Sequence, residues 1–369
     1  MNQLFRWNQM GLFLLALAAG ILPFAVPEVC AAALREGLTL CSGPLLLSLF
    51  PFLVVSRLLV QCPESDLLAL PFRLAAWGIG IRTPCAARVL CIGFLGGFAP
   101  AASAAAQAVR TGQLTAEEAD ALLPACICSG PSFVVLTVGQ SLLGSAELGV
   151  LLFASQITAN YLTAALLNRF AGVRSVKPGS AAPASPAPPR LDEILADAAI
   201  TYCKLCGFIL FFRMLAAGAG ALLPAGVGTL CSILLEVCSG CDLASRTGRW
   251  GSLLCCAALS VQGLSVLLQV RTICPPEMTL RPLYRSRLLH LPLSLALFYL
   301  LLPGGEADVF STLPARVLLM RRVPPDCALL VFAVCCMAAC TLRSGIRQVE
   351  QKQMARNAGG CCINSKTLL

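Results

Sequence analysis

The chain has 369 residues, 57% of them hydrophobic and 12% charged, with a mean hydropathy of +0.81. A water-wetted domain carries about 25% charged residues, so this composition excludes a soluble globular protein and points to an all-α, polytopic integral membrane protein. The net charge of +9 does not indicate a nucleic-acid partner. Its basic residues sit in short polar breaks and in a tail with Arg343, Arg347, Lys352, Arg356 and Lys366, without the interleaved aromatics that bind single strands.

A spanning helix needs about 20 apolar residues. The first apolar stretch, residues 10–33, follows Arg6 and is interrupted by Pro23 and Pro27. A second follows at once, at 38–60, so the first is expected to be a retained helix rather than a cleaved signal peptide. Residues 67–81 are too few to span comfortably and read as a half-helix or an interfacial piece. Residues 86–108 are rich in Gly and Ala. Within them, Gly93 to Ser103 fits either a tight helix crossing or an unwound stretch lining a path. Thr115-Ala116-Glu117-Glu118 is a capping box, which starts a helix near Ala116 and confines the polar turn before it to residues 110–115. Stretches at 121–138 and 142–170 complete a first half, residues 1–171.

Residues 172–190 are rich in Pro, Ala and Ser and form a semi-rigid linker. Arg169, Arg174, Lys177 and Arg190 cluster there, which places the linker, like the basic tail, on the cytoplasmic side. The second half, residues 191–303, opens with a short amphipathic piece at 191–198. It continues with apolar stretches at 200–223, 227–237, 252–270 and 288–302. Residues 304–369 hold a final membrane segment, 327–342, and the tail. The expectation is nine to eleven hydrophobic segments, several of them short.

Short segments interrupted by Gly and Pro in matching places of two halves mark transporters built from inverted repeats. Gly130-Pro131-Ser132-Phe133-Val134-Val135 lies inside an apolar segment of the first half, and Gly263-Leu264-Ser265-Val266-Leu267-Leu268 lies in the corresponding segment of the second. In hydrocarbon a helix breaks only where protein or a wet cavity satisfies its backbone, and Pro131 frees a carbonyl one turn back. A half-helix N-terminus turns free amides and a positive dipole end toward anions. The candidate substrate-binding residues are therefore Ser129, Gly130, Pro131, Ser132 and Gln140 at the first break, and Gln262, Gly263, Ser265 and Gln269 at the second. Thr137 sits beside the first cluster. Any one of these polar groups could instead glue helices together; as two sets they favour a cavity. Glu236 joins them as a carboxyl inside an apolar segment, unless that segment ends there and the residue lies at the interface.

The 21 cysteines are scattered through apolar runs, where a thiol packs as a small hydrophobe. The pairs Cys203/Cys206 and Cys238/Cys241 have a metal-ligand spacing, but no hydrophilic knuckle surrounds them, and His290, the only histidine, belongs to neither. No metal site and no cofactor are expected. Nothing resembles a phosphate-binding loop ending in Gly-Lys-Ser/Thr, and no nucleophile–base pair stands out, so no catalytic residue is assigned and the chain is not read as an enzyme.

Several short motifs occur in a specific order: Leu49-Phe50-Pro51-Phe52, Gly96-Gly97-Phe98, Leu114-Thr115-Ala116-Glu117-Glu118-Ala119, Ser129-Gly130-Pro131-Ser132-Phe133, Gly207-Phe208-Ile209-Leu210-Phe211, Leu235-Glu236 with Gly240, and Gln262-Gly263-Leu264-Ser265-Val266 with Gln269. Over residues 38–302 this pattern resembles the sporulation integral membrane proteins of the YlbJ type, within the nucleoside-recognition (Gate) domain proteins. The chain departs from that pattern after Gly97, where Ser103 stands near the place of a lysine. The resemblance implies two Gate-like repeats and a place in the cell membrane or a forespore-surrounding membrane. It also implies transport of a small anionic metabolite, dipicolinate, during endospore formation. The alternatives are a non-transporting scaffold of a spore-envelope complex and a nucleoside transporter. The expected partners are the bilayer and the solute, with assembly into a homo-oligomer left open.

Overall fold

The computed structural model describes residues 2–61, 66–171 and 191–302, and every regular element among them is helical. The expected membrane segment at 327–342, the tail and the linker lie outside the described residues. In chain order the helices are α1 (Asn2–Ala25), α2 (Pro27–Ser42), α3 (Pro44–Gln61), α4 (Leu70–Gly78), α5 (Pro84–Gly96), α6 (Phe98–Arg110), α7 (Ala116–Cys126), a π-helical segment (Ser132–Leu142), α8 (Ala146–Ala171), α9 (Leu191–Leu222), α10 (Ala225–Leu235), α11 (Val237–Ser245), α12 (Gly251–Val261), α13 (Gly263–Ile273) and α14 (Arg281–Leu301). Two broken helices followed by one long helix thus occur before the linker and again after it.

Among the described residues three stretches are long and apolar enough to cross a membrane: Ala146–Ala171, Leu191–Leu222 and Gly248–Ile273. The count is four if the bent pair α1–α2 makes one span. Nine to eleven hydrophobic segments were expected, several of them short, and breaks do divide apolar stretches into helices of half a bilayer's thickness, Pro84–Gly96, Ser132–Leu142 and Ala225–Leu235 among them. Large apolar side chains cover the outside, with Phe24 88%, Phe170 82% and Leu300 77% exposed. A surface of that kind suits lipid and not water.

Two expectations meet the structure at helix ends. The break expected at Pro27 is present, where the chain bends by 109° between Leu15–Ala25 and Pro27–Ser42, whereas Pro23 lies inside α1 and does not end it. Pro27 starts α2 and has no N–H to continue the α1 ladder, and Val26 before it leaves the helical region at φ −139°. Residues 191–198 are not a separate piece but the first turns of α9, a continuous helix of 32 residues. No Gly or Pro interrupts it before Gly207, and Ile194, Ala198, Tyr202, Leu205 and Ile209 keep one buried stripe through the supposed boundary.

The capping box is formed as expected. Thr115 Oγ1 accepts from the Glu118 amide at 3.1 Å, and Glu118 Oε2 accepts from the Thr115 amide at 3.1 Å. One turn further on, Asp120 reaches across to the start of α14. Its Oδ2 accepts from Thr279 N at 2.8 Å and from Thr279 Oγ1 at 2.7 Å, and its Oδ1 accepts from Leu280 N at 3.1 Å. That carboxylate holds the α14 entry, where Leu280 adopts φ 56°. Asp120→Ala would orphan the buried Leu280 amide and remove the partner of Thr279, and should cost about 1–3 kcal/mol. A drop in the melting temperature of the detergent-solubilised protein checks this, and Asp120→Asn should fall between the two.

Candidate functional site

The four helix breaks pack in two pairs. In the first half α5 ends at Gly96 and α6 starts at Phe98, so the expected choice between a crossing and an unwound stretch falls on a break at Gly97. Gly97 has φ 81° and ψ −163°, a region essentially restricted to glycine. α7 ends at Cys126, and the chain is extended at Ile127 before the π-helical segment begins. A Cβ on Gly97 would lie 2.7 Å from Gly130 N, so these two breaks are in direct backbone contact. In the second half the breaks fall at Glu236, between α10 and α11, and at Gln262–Gly263, between α12 and α13. A Cβ on Gly263 would lie 3.0 Å from Glu236 N. Gln262 takes φ 67°, a strained value for a residue with a side chain.

Both pairs border one small cavity of about 60 Å³, room for a few waters. It is lined by Gly96 and Phe98 from the first break, Ser129, Gly130 and Ser132 from the second, Glu236 and Cys238 from the third, and Gln269 of α13. Five of the sequence-derived candidates therefore meet at it: Ser129, Gly130, Ser132, Glu236 and Gln269. Pro131 is the residue preceding the π-helical segment and does not line the cavity. Gln262, Gly263 and Ser265 are buried just behind it, Gln262 donating to Leu259 O at 2.9 Å and Ser265 Oγ accepting from Gln269 Nε2 at 2.9 Å. Gln140 is exposed and away from the cavity.

Glu236 is not an interfacial residue. It is 2% exposed, and its two carboxylate oxygens accept from Cys238 N at 2.8 Å and Ser239 N at 2.7 Å. It caps α11 with its own side chain, so the amides of that half-helix already hold an anion. Among the helices that start at these breaks, α6, the π-helical segment and α13 have no side-chain cap.

Behind the breaks stands a cation absent from the sequence-derived candidates. Arg287 of α14 is 7% exposed. Its guanidinium donates to Asn160 Oδ1 at 3.1 Å and to the carbonyls of Ile127 at 3.4 Å, Pro124 at 3.5 Å and Ser260 at 3.5 Å. These carbonyls close the C-terminal ends of α7 and α12, where the helix dipole favours positive charge. Asn160 Nδ2 shares Ile127 O at 3.2 Å. His290, one turn along α14, meets the Gln156 carbonyl at 3.2 Å. The metal-like cysteine spacings hold no cluster: among the described residues no group of three or more His, Cys, Asp or Glu converges on a metal-sized site.

A second and larger cavity, about 400 Å³, opens at the end where α9 begins and α6 and α13 finish. Arg57, Arg110, Lys204 and Asp197 line it together with Thr201 and Gln107. Gln269 belongs to the walls of both cavities, so this vestibule and the smaller cavity are neighbours. Arg57 was not singled out in the sequence, yet its Nε lies 3.4 Å from Ser103 Oγ. A cation thus reaches Ser103 from α3.

No protein-family profile, no curated protein and no solved structure matches the chain.

Proposed function

We propose that the chain is a multi-pass membrane transporter or facilitator of a small anionic solute. The observation that carries this is the convergence of three helix breaks and of α13 on one cavity, with the fourth break packed against the third, beside a vestibule with three cationic side chains whose wall shares Gln269. A scaffold has no need to open four helices, since each break leaves backbone groups that must be satisfied away from water. Small solutes need such a place: free half-helix amides bind carboxylates, and irregular backbone lets a site change shape without unfolding. The two halves act as repeats moving about this centre, and Ser132 and Gln269 supply hydrogen bonds to the solute without adding negative charge. The α11 amides partly offset the charge of Glu236.

Dipicolinate is the proposed solute and a forespore-surrounding membrane the proposed place; both rest on the resemblance to the sporulation membrane proteins. A strain lacking the protein should make dipicolinate in its mother cell and form spores poor in it. Ser132→Leu, which fills the smaller cavity, should reproduce that loss while protein abundance stays near normal. Spores of normal dipicolinate content in the deletion strain would favour the scaffold.

A further inference from the structure

We propose that the vestibule is itself a binding site for a small dianion, in which Arg57 is the anchor and Asp197 a resident carboxylate that the solute displaces. This rests on the anion-transporter reading and names the first station of its path.

The two partners of the Arg57–Asp197 pair are unequal. Arg57 is 8% exposed and fixed from two sides, by Ser103 Oγ of α6 and by Thr201 Oγ1 of α9 at 3.2 Å. Asp197, 2.6 Å from Nη1, has a side chain 64% exposed. An ion pair that is half in solvent adds little to stability. A buried guanidinium left alone is costly, however, so Asp197 serves as a counter-ion for the empty site. A solute carboxylate offers the same two oxygens to the guanidinium fork and can take its place, while Asp197 turns to water.

Charge sets the class of ligand. Arg57, Arg110 and Lys204 against Asp197 leave the lining with two positive charges in excess, and neither Arg110 nor Lys204 forms an ion pair among the described residues. A dianion balances that excess. The volume of about 400 Å³ falls within the usual range of small-molecule sites, roughly 300–1,000 Å³. The floor is prepared as well. Gln269 is 2% exposed and its Oε1 has no hydrogen-bond partner, while Nε2 donates to Ser265 Oγ. Half a turn of the amide lets the Ser265 hydroxyl donate to Oε1 and frees the NH₂ group to reach an anion. Because Gln269 walls both cavities, the same amide can pass the solute inward.

The test is calorimetric titration of the purified full chain in detergent with pyridine-2,6-dicarboxylate and with its neutral dicarboxamide. Asp197→Asn should bind the dicarboxylate about tenfold more tightly than wild type, a gain of about 1.4 kcal/mol, because the competitor for Arg57 is gone. Arg57→Gln should weaken binding at least tenfold, and Arg57→Lys should restore part of it. The dicarboxamide should not bind. Failure of wild type and Asp197→Asn to bind the dicarboxylate would overturn the site. So would equal affinity in Arg57→Gln, looser binding in a monodisperse Asp197→Asn, or tight binding of the dicarboxamide. The expected pattern without flux in vesicles would keep the site and remove the transporter; flux without that pattern would do the reverse.

Discussion

Gly97→Ala should abolish accumulation of folded protein, whereas Gly130→Ala, on the other side of the same contact, should be tolerated. The asymmetry follows from geometry. A methyl on Gly97 would stand 2.7 Å from Gly130 N and 3.0 Å from its Cα, both backbone atoms that cannot step aside. Its φ of 81° with ψ −163° also lies where a side chain is strained. Overpacking costs about 1–3 kcal/mol and the backbone conformation about 1–3 kcal/mol more, a large fraction of what any domain has to spare. A methyl on Gly130 would meet Gly96 O at 3.4 Å, an ordinary contact. Size-exclusion profiles of the two variants check this. Equal behaviour would mean that the first pair of breaks is not held by this contact.

Arg287→Met should be the most damaging substitution of a polar residue. The methionine keeps much of the stem but leaves the Pro124 and Ser260 carbonyls and Asn160 Oδ1 without their donor. Each buried acceptor so stranded costs about 1–3 kcal/mol, and the dipoles at the ends of α7 and α12 lose their compensating charge. Arg287→Lys keeps that charge but not the planar fork that reaches several carbonyls at once, so it should fall between. Melting in detergent should therefore rank wild type above Lys above Met. A methionine variant as stable as wild type would show that the cation is a cost to the fold, since a buried charge replaced by a hydrophobe is often neutral or stabilising.

The parts of this arrangement that were legible in the sequence are those with a local cause. Thr115 and Glu118 cap a helix because three residues separate them, and Gly130-Pro131 and Gly263 announce breaks by removing a donor or a side chain. Gly97 was ambiguous for a physical reason: a run of Gly and Ala permits either a close crossing or an unwound stretch, and only its contact with Gly130 decides. Glu236 was ambiguous because a carboxyl near the end of an apolar segment suits an interface as well as a cavity. Its role as a cap depends on the chain restarting as a helix at Val237. The cations were hidden because their partners are distant in sequence. Arg57 looks like the polar end of a span until Asp197 and Thr201 arrive from α9. Arg287 sits in Arg281-Pro282-Leu283-Tyr284-Arg285-Ser286-Arg287, which reads as a polar flank, so the last stretch was expected to begin at 288 when the helix starts at Arg281. Gln140 was misplaced because closeness in sequence to a break does not decide which way a side chain faces, and this one is exposed away from the cavity.

On the proposed reading an anion would meet Arg57, Arg110 and Lys204 first, then the Gln269 amide, and then the helix N-termini at the breaks. The smaller cavity, at about 60 Å³, is too small for an aromatic dicarboxylate, so passage would require the two pairs of breaks to move apart while each pair stays together. The contacts of Gly97 with Gly130, and of Gly263 with Glu236, are within a pair and can persist through that motion.

The most direct measurement is uptake of pyridine-2,6-dicarboxylate into sealed vesicles carrying the purified full chain, beside vesicles carrying Ser132→Leu and vesicles without protein. The account predicts saturable uptake by wild type that Ser132→Leu lowers at least tenfold, about 1.4 kcal/mol. Uptake by folded wild-type protein no faster than by empty vesicles would contradict it.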